Sequence, residues 1–310
     1  MKTINIAIIG ECMVELQNKN GQIQQSFGGD TLNTALYLSR LTKNSNVKTS
    51  YITALGHDPF SQEMLNAWQE EGIDTGLVLK LDNKQPGIYC IETDNTGERY
   101  FHYWRSDSAA KYVFEQPESD SLIEKLLSFD VIYLSGITLA ILTESGRAEL
   151  FSLLDKFKQQ GGKVAFDNNY RPKLWADSEA AMKCHLKVLT YTDIALLTFD
   201  DEQMLFGDEK LEQCIERTSS AGVSEIIIKR GSEECVVVSE SDIQHVAPNK
   251  IDKVVDTTAA GDSFSAGFLA KRLVGGSACE AAHAGHCMAG AVIQHKGAII
   301  PQSAMPLFTD

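Results

Sequence analysis

Seven residues, Asp256-Thr257-Thr258-Ala259-Ala260-Gly261-Asp262, set small side chains between two carboxylates. They follow the β-branched pair Val254-Val255 and lead into Phe264 to Leu273, where Phe264, Phe268 and Leu269 recur at the spacing of one helix face. Small residues where a helix begins let a ligand come close to the backbone. The free N–H groups of the first turn and the positive end of the helix dipole then face that ligand, and an anion such as a phosphate fits there. A carboxylate at the same place, Asp262, is positioned to take the proton of a hydroxyl attacking that phosphate. The same residues would also suit a capping Asp after a glycine turn. The rest of the chain has to decide between the two readings.

Gly28-Gly29-Asp30-Thr31-Leu32-Asn33 is a second such place. It precedes a helical pattern whose apolar side is Leu32, Ala35, Leu36 and Leu41. Its glycines permit close approach by a ligand, and Asp30 and Asn33 offer groups that hydrogen-bond hydroxyls. A plain glycine turn with an N-cap would read the same way in isolation. Lys229-Arg230-Gly231-Ser232 follows a buried strand pattern and suits either a β-turn or the wall of a nucleotide site.

These segments need a scaffold, and the chain supplies an alternating one. Strand patterns at 4–9, 49–54, 130–134, 163–166, 194–197, 225–228 and 235–238 are separated by helical patterns at 31–41, 59–71, 144–160, 178–189 and 209–221. Such alternation predicts a mostly parallel sheet covered by helices on both faces. Ligands in such a sheet sit beyond the C-terminal strand ends, where Gly10, Gly136, Asp167 and Gly231 fall. Ser277-Ala278-Cys279-Glu280 after Gly275-Gly276 is a capping-box pattern for a last helix rich in alanine and glycine. Two regions break the alternation: residues 12–27, a hairpin around Lys19-Asn20-Gly21, and residues 86–104, a hairpin turning at Asp94-Asn95-Thr96-Gly97. Together they predict a small β-sheet standing off the main body. With no repeat or linker, residues 1–310 read as one folded domain.

Composition bounds the partners. A net charge of −14 without any Lys/Arg run argues against nucleic acid and anionic membranes. Seven scattered cysteines, none in a Cys-x-x-Cys pair, suggest neither a disulfide framework nor a zinc site. The apolar start, Ile4 to Ile9, is too short for a signal sequence, and no run approaches the ~20 residues of a membrane span. A cytoplasmic location is expected. A dinucleotide-dependent dehydrogenase is disfavoured because Gly10-Glu11-Cys12-Met13, not Gly-x-Gly-x-x-Gly, follows the first strand.

The stretches Ile9 to Met13, Phe27 to Thr34, Gly97-Glu98-Arg99 with Tyr103-Trp104-Arg105, Asp167 to Pro172 with Leu174-Trp175, Lys229 to Gly231 and Asp256 to Gly267 carry a resemblance along nearly the whole chain. The chain resembles the ribokinase-like (PfkB) sugar kinases, and most of all their branch acting on 2-keto-3-deoxygluconate. That resemblance implies an α/β ribokinase-like fold with a β-sheet lid, and transfer of phosphate from ATP to a sugar acid. It implies that Gly28, Gly29, Asp30 and Asn33 hold sugar hydroxyls, that Asp262 is the base, and that N–H groups of Ala259, Ala260 and Gly261 form the anion hole. Tyr89, Tyr103 and Arg105 would reach over the substrate from the lid, and Arg171 would meet either the substrate carboxylate or an ATP phosphate. An arginine fork is the expected partner of a carboxylate, since it pairs both oxygens.

Asn169, Lys229, Gly231, Ser232 and Gly261 would border ATP, with Lys229 to Ser232 contributing backbone and small side chains. ATP and Mg²⁺ are the cofactors implied, and a monovalent cation is an open addition. Glu202 would order water on the metal. Relatives carry Asn-x-x-Glu there, however, and this chain has Phe199 at the Asn position, which puts the metal arrangement in doubt. Pairing of copies through the lid is a further expectation. The alternatives are the same chemistry on fructose, ribose or a nucleoside, and a sugar-binding regulator without catalysis.

Overall fold

The computed structural model describes residues 2–19, 21–93, 99–239 and 242–306. Its central sheet has eight strands in the order Asp242–Val246, Cys235–Ser239, Glu225–Lys229, Ile194–Thr198, Lys163–Asp167, Val131–Ser135, Ile4–Ile9 and Val47–Ile52. Every neighbouring pair from Val47–Ile52 to Glu225–Lys229 runs parallel, and the last two strands are antiparallel. Parallel strands buried on both faces read as continuous apolar runs because successive side chains enter opposite layers. Ile6 and Ile8 enter a layer with Tyr51, Trp68 and Phe268, while Ala7 and Ile9 enter one with Leu150, Phe157 and Phe166.

Helices Asp30–Leu41, Pro59–Glu70, Ala260–Leu273 and Ala278–Val292 contribute buried residues to the first layer. Helices Ser119–Leu126, Glu144–Gln159, Ser178–Leu189 and Leu211–Ser220 contribute to the second. The predicted helix at 209–221 is shorter than expected, and the strand expected at 49–54 is shifted to Val47–Ile52. The edge strand Asp242–Val246 was not legible as a strand because it is mostly exposed and polar. The capping box is present: the hydroxyl of Ser277 accepts from the amide of Glu280, whose carboxylate accepts from Ser277.

The two interrupting hairpins join in a four-stranded sheet ordered Gln22–Gly28, Met13–Lys19, Ile88–Thr93, Arg99–Trp104. Met13–Lys19 and Ile88–Thr93 run parallel, which links the two hairpins edge to edge. Asn20 and the expected turn at Asp94 to Gly97, with Glu98, lie outside the described residues. Among the described residues, no helix is long and apolar enough to cross a membrane.

The helices that begin at Ala260 and Ala278 touch backbone to backbone. A Cβ on Gly267 would lie 2.6 Å from the carbonyl oxygen of Ala284 and 3.0 Å from Cα of Gly285. Both obstacles are main chain, so neither can swing aside. Gly267→Ala should therefore destabilise the protein by about 1–3 kcal/mol through overpacking, despite alanine's helix-propensity advantage of about 1 kcal/mol. A thermal melt checks this, and an unchanged or raised Tm would contradict it.

Candidate active site

The C-terminal strand ends, the second sheet and the starts of two helices enclose a cleft of about 1370 Å³. Its lining includes Gly29, Asp30, Asn33, Tyr89, Tyr103, Arg105, Asn169, Arg171, Lys229, Gly231 and Ala259 to Asp262. Most residues singled out from sequence thus share one space, although they come from points up to 233 positions apart (Gly29 to Asp262).

Helix Asp30–Leu41 starts at this cleft because its N-cap, Gly29, lies hard against the chain after the first strand. A Cβ there would fall 2.2 Å from the carbonyl oxygen of Glu11. Helix Ala260–Leu273 starts beside it, after Ala259 takes a left-handed conformation at φ 59°. That conformation is costly for a residue with a Cβ. Each first turn carries a carboxylate, Asp30 in one and Asp262 in the other. The amide of Asn33 donates to Oδ2 of Asp262 at 2.8 Å, and the hydroxyl of Thr34 donates to the Asp262 carbonyl at 3.3 Å. These bonds fix the aim of the Asp262 carboxylate.

The charge balance is unusual for carboxylates. Burial, and next the negative charge of Asp30, push the Asp262 carboxyl up to about 7; Asp167 adds to this, while Asn33 and Lys229 oppose it. Asp30 is raised too, chiefly by burial, against a hydrogen bond from Ser135. Asn169, in a left-handed conformation at φ 24°, donates its amide to Asp30 at 2.9 Å. Asp167 is paired with the Lys229 ammonium at 2.7 Å. The sequence reading gave Lys229 only a backbone role, so its buried side chain was missed.

The expected anion-hole donors divide. The amide of Ala260 closes a turn on the Thr257 carbonyl at 3.2 Å, so it is already engaged. Among the described residues, no carbonyl accepts from the amides of Ala259 or Gly261. The loop is braced by Asp256, which accepts from Thr258 at 3.0 Å and from Gly297 at 2.8 Å.

On the side of the second sheet, Tyr103 is half exposed and Tyr89 is buried, their rings 5.8 Å apart. Tyr89 does not present a free hydroxyl: it donates to Glu15. Arg105 is ion-paired with the buried Glu11, which sequence reasoning left without a role although it adjoins Gly10. Arg171 is 52% exposed, donates to the Tyr170 carbonyl at 2.7 Å and stands 3.4 Å from Asp201. Burial raises the Tyr103 hydroxyl, while the charges of Arg105 and Arg171 both pull it down, and the Arg105 guanidinium stands 6.0 Å from the ring centre.

Three expected site residues do not reach the cleft. Gly28 is buried behind its rim, where a Cβ would meet the Tyr89 hydroxyl at 2.5 Å. Ser232 is exposed in the turn after Gly231, outside the lining. Glu202 is 2% exposed and also outside it, with one oxygen taken by Asn168 at 2.9 Å and the other by Arg217 at 2.6 Å. Phe199, in the position of the missing Asn, packs into the core instead. Asn168 supplies the amide on Glu202 and also accepts from Thr198 and Asn169, so the network clamps the loop carrying Asn169.

A divalent ion needs oxygen ligands and tolerates several waters. Glu202 does not fit that role here, because it is buried outside the cleft lining, whereas an ion on ATP would sit within the cleft. The buried group Glu202, Asp208 and Cys214 is spanned by Arg217, which already supplies a positive charge. Asp200 and Asp201, in the first turn of helix Phe199–Phe206, line the cleft and offer the required donors.

Comparison with known proteins agrees with this geometry. The profile described as pfkB family carbohydrate kinase matches residues 3–305. The 2-dehydro-3-deoxygluconokinase of Dickeya dadantii (strain 3937) is 53% identical over 309 residues, covering 99% of this chain and 100% of that protein. Its counterpart from Escherichia coli (strain K12) is 51% identical over 304 residues, covering 97% and 98%. The crystal structure of 2-dehydro-3-deoxygluconokinase from Thermotoga maritima superposes with a TM-score of 0.83 over 96% of this chain and 95% of that one, at 21% identity, a likeness of fold. The cleft, its paired helix starts and these full-length matches lead to one conclusion: this chain belongs to the pfkB family of carbohydrate kinases.

Proposed function

We propose that the protein transfers the γ-phosphoryl group of ATP to the primary hydroxyl of 2-keto-3-deoxygluconate (2-dehydro-3-deoxygluconate), giving the 6-phosphate. The observation that carries the reaction class is the Asn33-aimed carboxylate of Asp262 in the first turn of helix Ala260–Leu273. The full-length relatives and the two arginines in the cleft lining, Arg105 and Arg171, favour a sugar acid as acceptor.

In this reading the amides of Ala259 and Gly261 and the helix dipole receive the negative charge of the migrating phosphoryl group. Preorganised donors of this kind contribute about 3–4 kcal/mol each when tested by removal. Asp262 takes the proton of the attacking hydroxyl. Asp30, Asn33 and the Gly29 backbone hold the sugar, and Arg105 with Arg171 meets its carboxylate. Asn169, Lys229 and Gly231 border ATP. A divalent ion belongs to the reaction, and we take it to be Mg²⁺; Asp200 and Asp201 would hold it, and it would offset the negative charge of the phosphates. The second sheet acts as a lid within the same single domain. Its closure removes water, so that the sugar hydroxyl attacks instead. A kinase with free cysteines, working on ATP, fits the cytoplasm.

Asp262→Asn removes the base while keeping the size of the side chain. It should lower kcat by about 10²–10⁴-fold, with acceptor KM changed little; steady-state kinetics with unchanged kcat would sink the assignment. Base catalysis needs the ionised form, so kcat/KM should fall as pH drops through about 7, where an ordinary carboxylate would hold activity down to about 4. Linkage gives the matching sign for folding: a raised carboxyl loses stability as pH rises through its folded-state value. The Asn variant should thus melt no lower than the parent at pH 8 without ligand, and a clearly lower Tm would count against the buried-charge account. For substrate choice, Arg105→Ala should cut kcat/KM for the sugar acid by about 10–100-fold, the worth of a charge-assisted pair. A neutral-sugar side activity should be far less affected, and equal losses would refute the carboxylate role.

A further inference from the structure

We propose that the ammonium group of Lys229 is itself a catalytic group, held by Asp167 and Ser265 so that its remaining N–H meets the migrating phosphoryl group. This rests on the phosphoryl-transfer reading above. Lys229 closes strand Glu225–Lys229 and is only 7% exposed, yet it lines the cleft. Its Nζ lies 2.7 Å from Oδ2 of Asp167 and 3.4 Å from Oγ of Ser265, and Ser265 donates to the same Asp167 oxygen at 2.7 Å. An ammonium group has three donors, and these contacts use two. The nitrogen lies 3.7 Å from the point a Cβ on Gly261 would occupy, against the residue whose amide we assign to the migrating group.

A buried ion pair is weak evidence of a stabilising role, because apolar replacements of similar size are often no less stable. A fixed cation beside a developing negative charge has a clear catalytic use. In the transfer step the sugar hydroxyl oxygen bonds to the γ-phosphorus. The bond from that phosphorus to the β–γ bridging oxygen breaks, and its electron pair leaves with ADP. The hydroxyl proton passes to Asp262. Lys229 keeps its proton throughout and donates a hydrogen bond to a non-bridging oxygen of the phosphoryl group. Its positive charge also favours ionised Asp262, so one side chain serves both the base and the migrating group.

The test compares the full-length parent with Lys229→Met, Lys229→Arg and the double variant Asp167→Asn/Lys229→Met, measuring ADP release on 2-keto-3-deoxygluconate with Mg-ATP. We expect Lys229→Met to lose about 10²–10³-fold in kcat with acceptor KM within about threefold. The fall of kcat/KM with acid should move to higher pH, and Lys229→Arg should recover at least tenfold over the Met variant. The double variant leaves no lone buried charge, so it carries the test should the single Met variant fail to fold; it should fold and remain equally slow. A folded double variant with kcat within about threefold of the parent would overturn the proposal and leave the ion pair as a fastening only. Turnover by the parent separates the two readings: a parent silent with every acceptor removes the kinase reading and this inference with it, whereas an active parent with an active double variant removes this inference alone.

Discussion

Two helices begin at the same point of the cleft, and hydrogen bonds from Asn33 to the Asp262 carboxylate at 2.8 Å and from Thr34 to its carbonyl at 3.3 Å tie them together. Much of the site follows from that meeting. Helix dipoles bring positive potential to the spot from both sides, which suits a migrating phosphoryl group. Each first turn also carries a carboxylate, and Asp167 adds a third at the end of a neighbouring strand. Burial, and next this crowding, keeps Asp262 from ionising as readily as an ordinary carboxylate. The surrounding structure answers with cations and amides: Lys229 on Asp167, Asn169 on Asp30 and Asn33 on Asp262.

Glycines let each of these two helices pack closely against other parts of the chain. Gly29 lets one helix begin against the Glu11 carbonyl, and Gly267 lets the other lie against the backbone of Ala284 and Gly285. The second sheet completes the enclosure with Tyr89, Phe101 and Tyr103, neighbouring rings on one face of its strands. Arg105 follows directly after that sheet, so any movement of the sheet carries the cation with it.

Much of this was legible in the residues. Strand Ile4–Ile9 and helix Ser178–Leu189 have their expected bounds because apolar periodicity and capping agree there. Asp262 and the Gly28–Asn33 segment were legible only together, because each alone also reads as a capped glycine turn and their order along the chain carries the resemblance. Contacts between distant segments were not. Nothing in Lys229-Arg230-Gly231 reveals that Lys229 turns inward to Asp167, since a surface lysine and a buried one read alike until the partner strand is placed. Glu202 shows the converse: its spacing matched a metal motif, but Arg217 and Asn168 hold it away from the cleft. Phe199 was the available sign, because an apolar residue at that position turns toward the core.

The most direct test of the central claim is ADP release from Mg-ATP with 2-keto-3-deoxygluconate, gluconate, fructose, ribose and adenosine, and location of the new phosphate by ³¹P NMR. The account predicts strong turnover with the keto-deoxy acid alone and phosphate on its 6-hydroxyl. Turnover confined to fructose, ribose or adenosine would contradict the reading of Arg105 and Arg171, and absence of turnover with every acceptor would contradict the kinase account as a whole.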